Sequence, residues 1–149
     1  MEMKEVLSLK IKPKEKVDKI TNIVIEDPNK ISELMTNFKQ GTDVEKGTYA
    51  TVLKQVSASN PEIVEPYIED LFEYINYKAN RVKWGVPETI GNLADKYSYR
   101  VEKAIPSLLV NTKDKSTVVR WCAAYALSRI MLFNIDKREQ LLKHINQSV

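Results

Sequence analysis

The chain has 149 residues, 43% hydrophobic and 29% charged, with a formal net charge of +3. That length fits one domain with a real core, and so small a net charge singles out no class of partner. Only 4 Gly and 6 Pro are present, which leaves little material for hairpins and long loops and favours helix over sheet.

In chain order, residues 1–12 read either as a short extended arm or as a loose helix. Pro13 suits a first helical turn, and Val17, Ile20, Ile23 and Val24 share a face after it. Asp27-Pro28 reads as an N-cap and first position of the next helix, whose apolar side is Ile31, Leu34, Met35 and Phe38, closed by Gly41. Thr42 or Asp43 caps a helix carrying Val44, Gly47, Thr48, Val52 and Val56. Pro61 opens another that runs to about Tyr77, with Ile63, Tyr67, Ile68, Leu71, Phe72 and Ile75 inward. A helix with Val82, Gly85, Val86, Ile90, Leu93 and Ala94 follows, then one at about 99–111. The stretch from Asp114 to Met131 places Val119, Cys122, Ala123, Ala126, Leu127 and Ile130 on one stripe rich in small residues, with Ser116 or Thr117 as cap. A last helix, from about 136, carries Leu141, Leu142 and Ile145. The total is roughly eight helices.

Three of these helices align with one another. Val44-Glu45-Lys46-Gly47 matches Val82-Lys83-Trp84-Gly85, which matches Val119-Arg120-Trp121-Cys122, at offsets of 82 − 44 = 38 and 119 − 82 = 37. The intervening helices match too, Ile63, Tyr67 and Leu71 falling on Val101, Ile105 and Leu109. Two helices every 37–38 residues is the pattern of an α-solenoid.

The run Val119 to Leu127 (VRWCAAYAL) resembles the second helix of a HEAT or HEAT-like, armadillo-type repeat. Asp114 stands where such repeats often carry an acidic residue, and Pro66 and Pro106 lie in first helices, which proline often kinks in that family. The resemblance covers residues 61–132 well, 28–60 less well and 1–27 not at all. It implies an all-α fold: a right-handed α-solenoid of about three HEAT-like helix pairs with capping helices at both ends. Residues 1–149 then form one domain, with an arm and capping helix at 1–27, repeats at 28–60, 61–98 and 99–135, and a terminal helix at 136–149. Pro87 departs from the pattern and predicts a kink or a late helix start in the middle repeat.

The resemblance also implies that the second helices line a concave side. The register then leaves Glu45, Lys46, Tyr49, Leu53 and Lys54 outside on the first of them. Lys83, Trp84, Pro87, Glu88, Asn92 and Asp95 lie outside on the second, and Arg120, Trp121, Ala124, Tyr125, Ser128 and Arg129 on the third. Trp84 and Trp121, one repeat apart, are expected side by side, with Glu88 and Tyr125 one turn further on. Trp84, Trp121, Glu88, Tyr125, Arg120, Lys83 and Arg129 are the candidate partner-binding residues, of types enriched at binding hot spots. The alternative for the indoles is packing over the seam between repeats.

Chemistry finds little support. One His, His144, and one Cys, Cys122, cannot supply a metal site or a Cys–His nucleophile. No glycine pattern cradles a phosphate, and the carboxylate pairs are ordinary for helix surfaces. No catalytic residue and no cofactor are expected. Charge is uneven: residues 1–78 hold 11 Lys+Arg against 14 Asp+Glu, and residues 79–149 hold 12 against 6. Solvated helix faces account for this; a basic groove with aromatics that follows a phosphate backbone is the other reading. Some HEAT-like proteins are alkylpurine DNA glycosylases, and Trp84, Trp121 and Glu88 are faintly similar to their aromatic and acidic cleft.

The leading expectation is a non-catalytic protein-interaction or scaffolding module, with nucleic-acid binding or DNA repair second and self-association through the Trp seam third. A monomer or weak homo-oligomer is expected. The lone cysteine, no signal-like apolar run and no stretch of roughly 18 apolar residues make a reducing cytoplasm the expected compartment, with no membrane contact.

Overall fold

In the computed structural model, residues 1–147 are described, and their regular structure is entirely helical. The long helices are α2 (Pro13–Glu26), α4 (Asp43–Ser59), α7 (Asn80–Val101) and α9 (Thr117–Phe133). They pack in that order, α2 on α4, α4 on α7 and α7 on α9. Shorter helices lie between them, α3 (Ile31–Gln40), α5 (Pro61–Val64), α6 (Ile68–Leu71) and α8 (Ile105–Asn111), and at the two ends, α1 (Met3–Leu7) and α10 (Ile135–Gln147). The ambiguous start is thus a short helix, α1, whose Met3 and Val6 are buried. The terminal helix expected over 136–149 is described to Gln147; Ser148 and Val149 lie outside the described residues.

The repeat is tighter than the sequence alignment. α4, α7 and α9 begin at Asp43, Asn80 and Thr117, so both steps are 37 residues (80 − 43 and 117 − 80). A 3-10 turn interrupts the chain before each of them at Pro28–Lys30, Glu65–Tyr67 and Glu102–Ala104, again 37 apart. The helix expected to run from Pro61 to Tyr77 is therefore broken, as α5, a 3-10 turn, α6 and a further 3-10 turn at Phe72–Tyr74. Three long helices end in a similar non-helical residue, Asp27 (φ −137°), Asn60 (φ −136°) and Asn134 (φ −116°), and α7 has its counterpart inside it, four residues before its end, at Tyr97 (φ −128°).

The offset of 38 for the first pair is corrected to 37. That one-residue shift turns Val44 out to solvent, 74% exposed, and buries Lys46, Tyr49 and Leu53, which were expected outside. The physical reason is that α4 is flanked by α2 on one side and α7 on the other, so little of its circumference reaches water. Lys46 is buried by neutralising helix ends: its Nζ donates to the carbonyls of Lys39 (2.9 Å) and Gly41 (2.7 Å). Such a clamp satisfies carbonyls that a helix C-terminus leaves without intrahelical partners.

Pro87 produces neither a kink nor a late start. α7 begins at Asn80 and its one non-helical residue is Tyr97, ten residues beyond the proline. Caps follow the sequence closely. Thr42 forms a reciprocal capping box with Glu45, and Ser116 Oγ accepts from Val119 N–H at 3.3 Å. Asp27 makes no side-chain cap. The predicted stripes of α3, α7 and α9 are all buried. On α10 only Leu141 is; Leu142 and Ile145 are 44% and 43% exposed, because little among the described residues covers that side of α10. Each fully buried Leu or Ile in this core contributes roughly 1.5–3 kcal/mol.

Candidate functional site

Two glycines let the long helices approach. A Cβ at Gly85 would lie 2.7–2.8 Å from the backbone and side chain of Ala50, and one at Gly91 would lie 2.6 Å from the Tyr125 ring. Around these points polar side chains tie helix to helix. Lys54 pairs with Glu88 at 3.0 Å, and Cys122 Sγ donates to Glu88 Oε1 at 3.1 Å. Asn92 donates to Lys54 O and Ser57 Oγ, each at 3.1 Å, and accepts from the Tyr125 hydroxyl at 2.6 Å. Arg129 Nε donates to Gly91 O at 3.3 Å, and its guanidinium lies 4.7 Å from the Phe133 ring centroid.

Most of the candidate binding residues are therefore held in seams between helices. Glu88 bridges α4 and α9. Lys83 Nζ meets Asp114 Oδ2 at 2.7 Å with both side chains largely covered. Arg120 folds back on its own turn, donating to Asp114 O (2.7 Å), Lys115 O (3.1 Å) and Thr117 Oγ1 (3.0 Å). Lys46, Lys83 and Arg120 stand 37 residues apart and each clamps a turn. The sequence signal for this was three basic residues at one repeat position, and the 38-residue offset hid it. Asp114 accepts from Lys83 and also from Ser116 N–H at 2.9 Å, and these bonds hold its carboxyl below the usual carboxylate range. Burial, and then the hydrogen bond to Glu88, push the Cys122 thiol up to about 12. It is a neutral donor at physiological pH, not a nucleophile.

The two indoles have different surroundings. Trp84 is half-buried, and its Nε1 is sealed from solvent without a hydrogen-bond partner among the described residues. Trp121 is 67% exposed. The aromatic ring pairs among the described residues are Phe38–Tyr74 and Tyr74–Tyr77, so the two indoles do not stack. Trp121 instead heads a stripe on α9 with Val118, Tyr125 and Leu132, all exposed and spaced to share one helix face.

On the other flank of α9 lies an open apolar groove of about 450 Å³, walled by Leu109, Thr112, Ala124, Leu127, Met131 and Ile145, with Lys113 at its edge. Reading the sequence singled out Ala124 and Ser128 only as outward positions and missed the groove. Its signal was the surplus of apolar residues on α10, of which Ile145 lines the groove.

No group of His, Cys, Asp and Glu among the described residues converges to hold a metal ion, and no helix among them is long and apolar enough to cross a membrane. No family model, curated protein or solved structure matches the chain.

Proposed function

We propose that the chain is a non-catalytic protein-interaction module, a right-handed α-solenoid of about three HEAT-like helix pairs that binds a protein partner around Trp121, in a reducing cytoplasm. The observation that carries this reading is the exposed stripe Val118, Trp121, Tyr125 and Leu132 on one face of α9. An indole covered by a partner contributes roughly 2 kcal/mol or more, and such residues dominate interfaces. The 37-residue recurrence of helix starts and 3-10 turns supports the solenoid part of the reading. Tyr125 is held in place by Asn92, so little ordering entropy is lost when a partner covers it.

The basic residues that favoured nucleic acid are largely engaged within the chain. Arg100 binds Glu65 and Glu69, Lys83 binds Asp114, and Arg120 binds its own turn. A phosphate backbone would have to displace those partners.

The test is a photo-crosslinking amino acid placed at position 121, with position 14, whose lysine is 83% exposed on α2, as control. A discrete protein adduct at 121 and none at 14 is expected. Adducts to nucleic acid would replace the proposal with the second reading, and equal labelling at both positions would remove it.

A further inference from the structure

We infer that the groove between α8, α9 and α10 is a receptor for an amphipathic α-helix with acidic flanks, supplied by the protein partner. This deepens the proposed function and rests on it.

The register of the long helices identifies the occupant's shape. α7 lies against one flank of α4, where Ala50 and Lys54 meet Gly85 and Glu88. α9 lies against the same flank of α7, where Gly91 meets Tyr125 and Ala126. Adding 37 carries Ala50 to Pro87 and Ala124, and Lys54 to Gly91 and Ser128. Ala50, Pro87 and Gly91 are buried, while Ala124 and Ser128 are exposed. The flank that receives a helix on α4 and again on α7 is thus bare on α9. The same contrast runs through α10, whose Ile145 is 43% exposed at the groove wall. Small residues at 124 and 128 let a helix backbone approach closely, as Ala50 lets Gly85 approach. The occupant is accordingly a helix seated as α9 sits on α7, with apolar side chains entering between Leu127, Met131 and Ile145.

Charge identifies its flanks. Lys113 stands at the groove, and Lys115 lines the adjoining concavity with Pro106, Leu109 and Val110. Among the described residues that line these two concavities the one carboxylate, Asp114, is already taken by Lys83. Residues 79–149 carry twice as many basic as acidic side chains, 12 against 6. A helix with acidic flanks meets opposite charge there; a basic one meets repulsion.

The internal helix α9 supplies the probe. Two fluorescein-labelled peptides of residues Thr117–Phe133 are compared by anisotropy against the full chain: the native sequence, and one carrying R120E, S128E and R129Q. The acidic peptide is expected to bind saturably, about tenfold or more tighter than the native one at low salt. Ala124→Trp in the protein is expected to abolish binding with an unchanged melting temperature, since residue 124 is exposed. Lys113→Glu is expected to erase the preference between the peptides. Equal binding of both peptides, or binding that survives Ala124→Trp, would overturn the inference. So would a dimer seen by sedimentation and lost in Ala124→Trp, because a second copy would then cover the groove. A protein crosslink at position 121 without peptide binding removes this inference and leaves the proposed function standing; failure of the crosslink alone removes the broader reading.

Discussion

The two ends of the row of long helices are finished in opposite ways. At the amino-terminal end α1 folds over, burying Met3 and Val6 completely, and Lys16 Nζ ties it down by donating to Leu7 O at 2.7 Å. The outer face of α2 beyond it is mostly polar, with Lys14, Glu15, Lys19, Asn22 and Glu26 exposed beside Ile25. At the carboxy-terminal end α10 buries only Leu141 and leaves Ile135, Leu142 and Ile145 exposed, the last of them at the wall of an open groove. Both ends face the same physical problem, a helix flank with no neighbour. One is solved by charge and a short lid, and the other leaves apolar surface open.

Substitutions can press on that difference. The largest effect is expected where a helix is flanked on both sides: Leu53→Ala, fully buried on α4, is expected to cost about 3 kcal/mol in urea unfolding, whereas Leu142→Ala on α10 costs less than about 0.5 kcal/mol. Comparable loss at Leu142 would mean that the carboxy-terminal end is covered after all. Next in size is the closed seam against the open one. Gly85→Ala drives a Cβ into the Ala50 backbone and is expected to cost about 2 kcal/mol, while Ser128→Ala at the bare flank stays within about 0.5 kcal/mol.

A smaller effect is expected from pH. The folded state holds the Cys122 thiol up to about 12, above its ordinary value of 9.0. The unfolded chain therefore loses this proton first as pH rises past 9. Stability from this group is complete below pH 9 and declines toward pH 12, by about 1 kcal/mol at pH 10. Tyr49, also pushed up to about 12, begins its decline only above its ordinary 10.0. Comparing unfolding of wild type and Cys122→Ala at pH 8 and pH 10 isolates the thiol: the variant should show the shallower fall. The smallest effect is expected at Trp121. With 67% of it exposed, Trp121→Ala should shift stability by less than about 0.5 kcal/mol while abolishing binding of the partner that the crosslink at position 121 identifies in the otherwise unaltered chain.

Much of the fold was legible because it rests on local rules. Thr42 or Asp43, Ser116 or Thr117, Pro13 and Pro61 marked helix starts, and the stripes of α3, α7 and α9 are buried as their spacing predicts. What failed to show was anything set by neighbours on two sides. Tyr49 and Leu53 lie off the stripe read for α4, yet both are fully buried because α2 and α7 flank that helix. Lys46 looked solvated because a buried lysine becomes tolerable only when two carbonyls meet its ammonium, and those come from a turn five to seven residues upstream. At the candidate site, the helical register set Trp121 and Tyr125 outward, with packing over the seam as the alternative for the indole, and both are exposed. Glu88, Lys83 and Arg120 were of the same hot-spot character, but the partners of Glu88 and Lys83, Lys54 and Asp114, lie across seams that no single-helix reading displays, and Arg120 folds back on the carbonyls of the turn before its own helix.

The ties across those seams have a narrow reach. Thr21 to Gln55, Lys54 to Glu88, Asn92 to Ser57, Asn76 to Asn111 and Asn134 to Ser98 each span between 34 and 36 residues, about one 37-residue step. Force applied to the two termini would load these ties in series, and each helix would yield against its immediate neighbour. The chain is built to peel stepwise under tension, and damage to α9 would leave α2 and α4 as firmly joined as before.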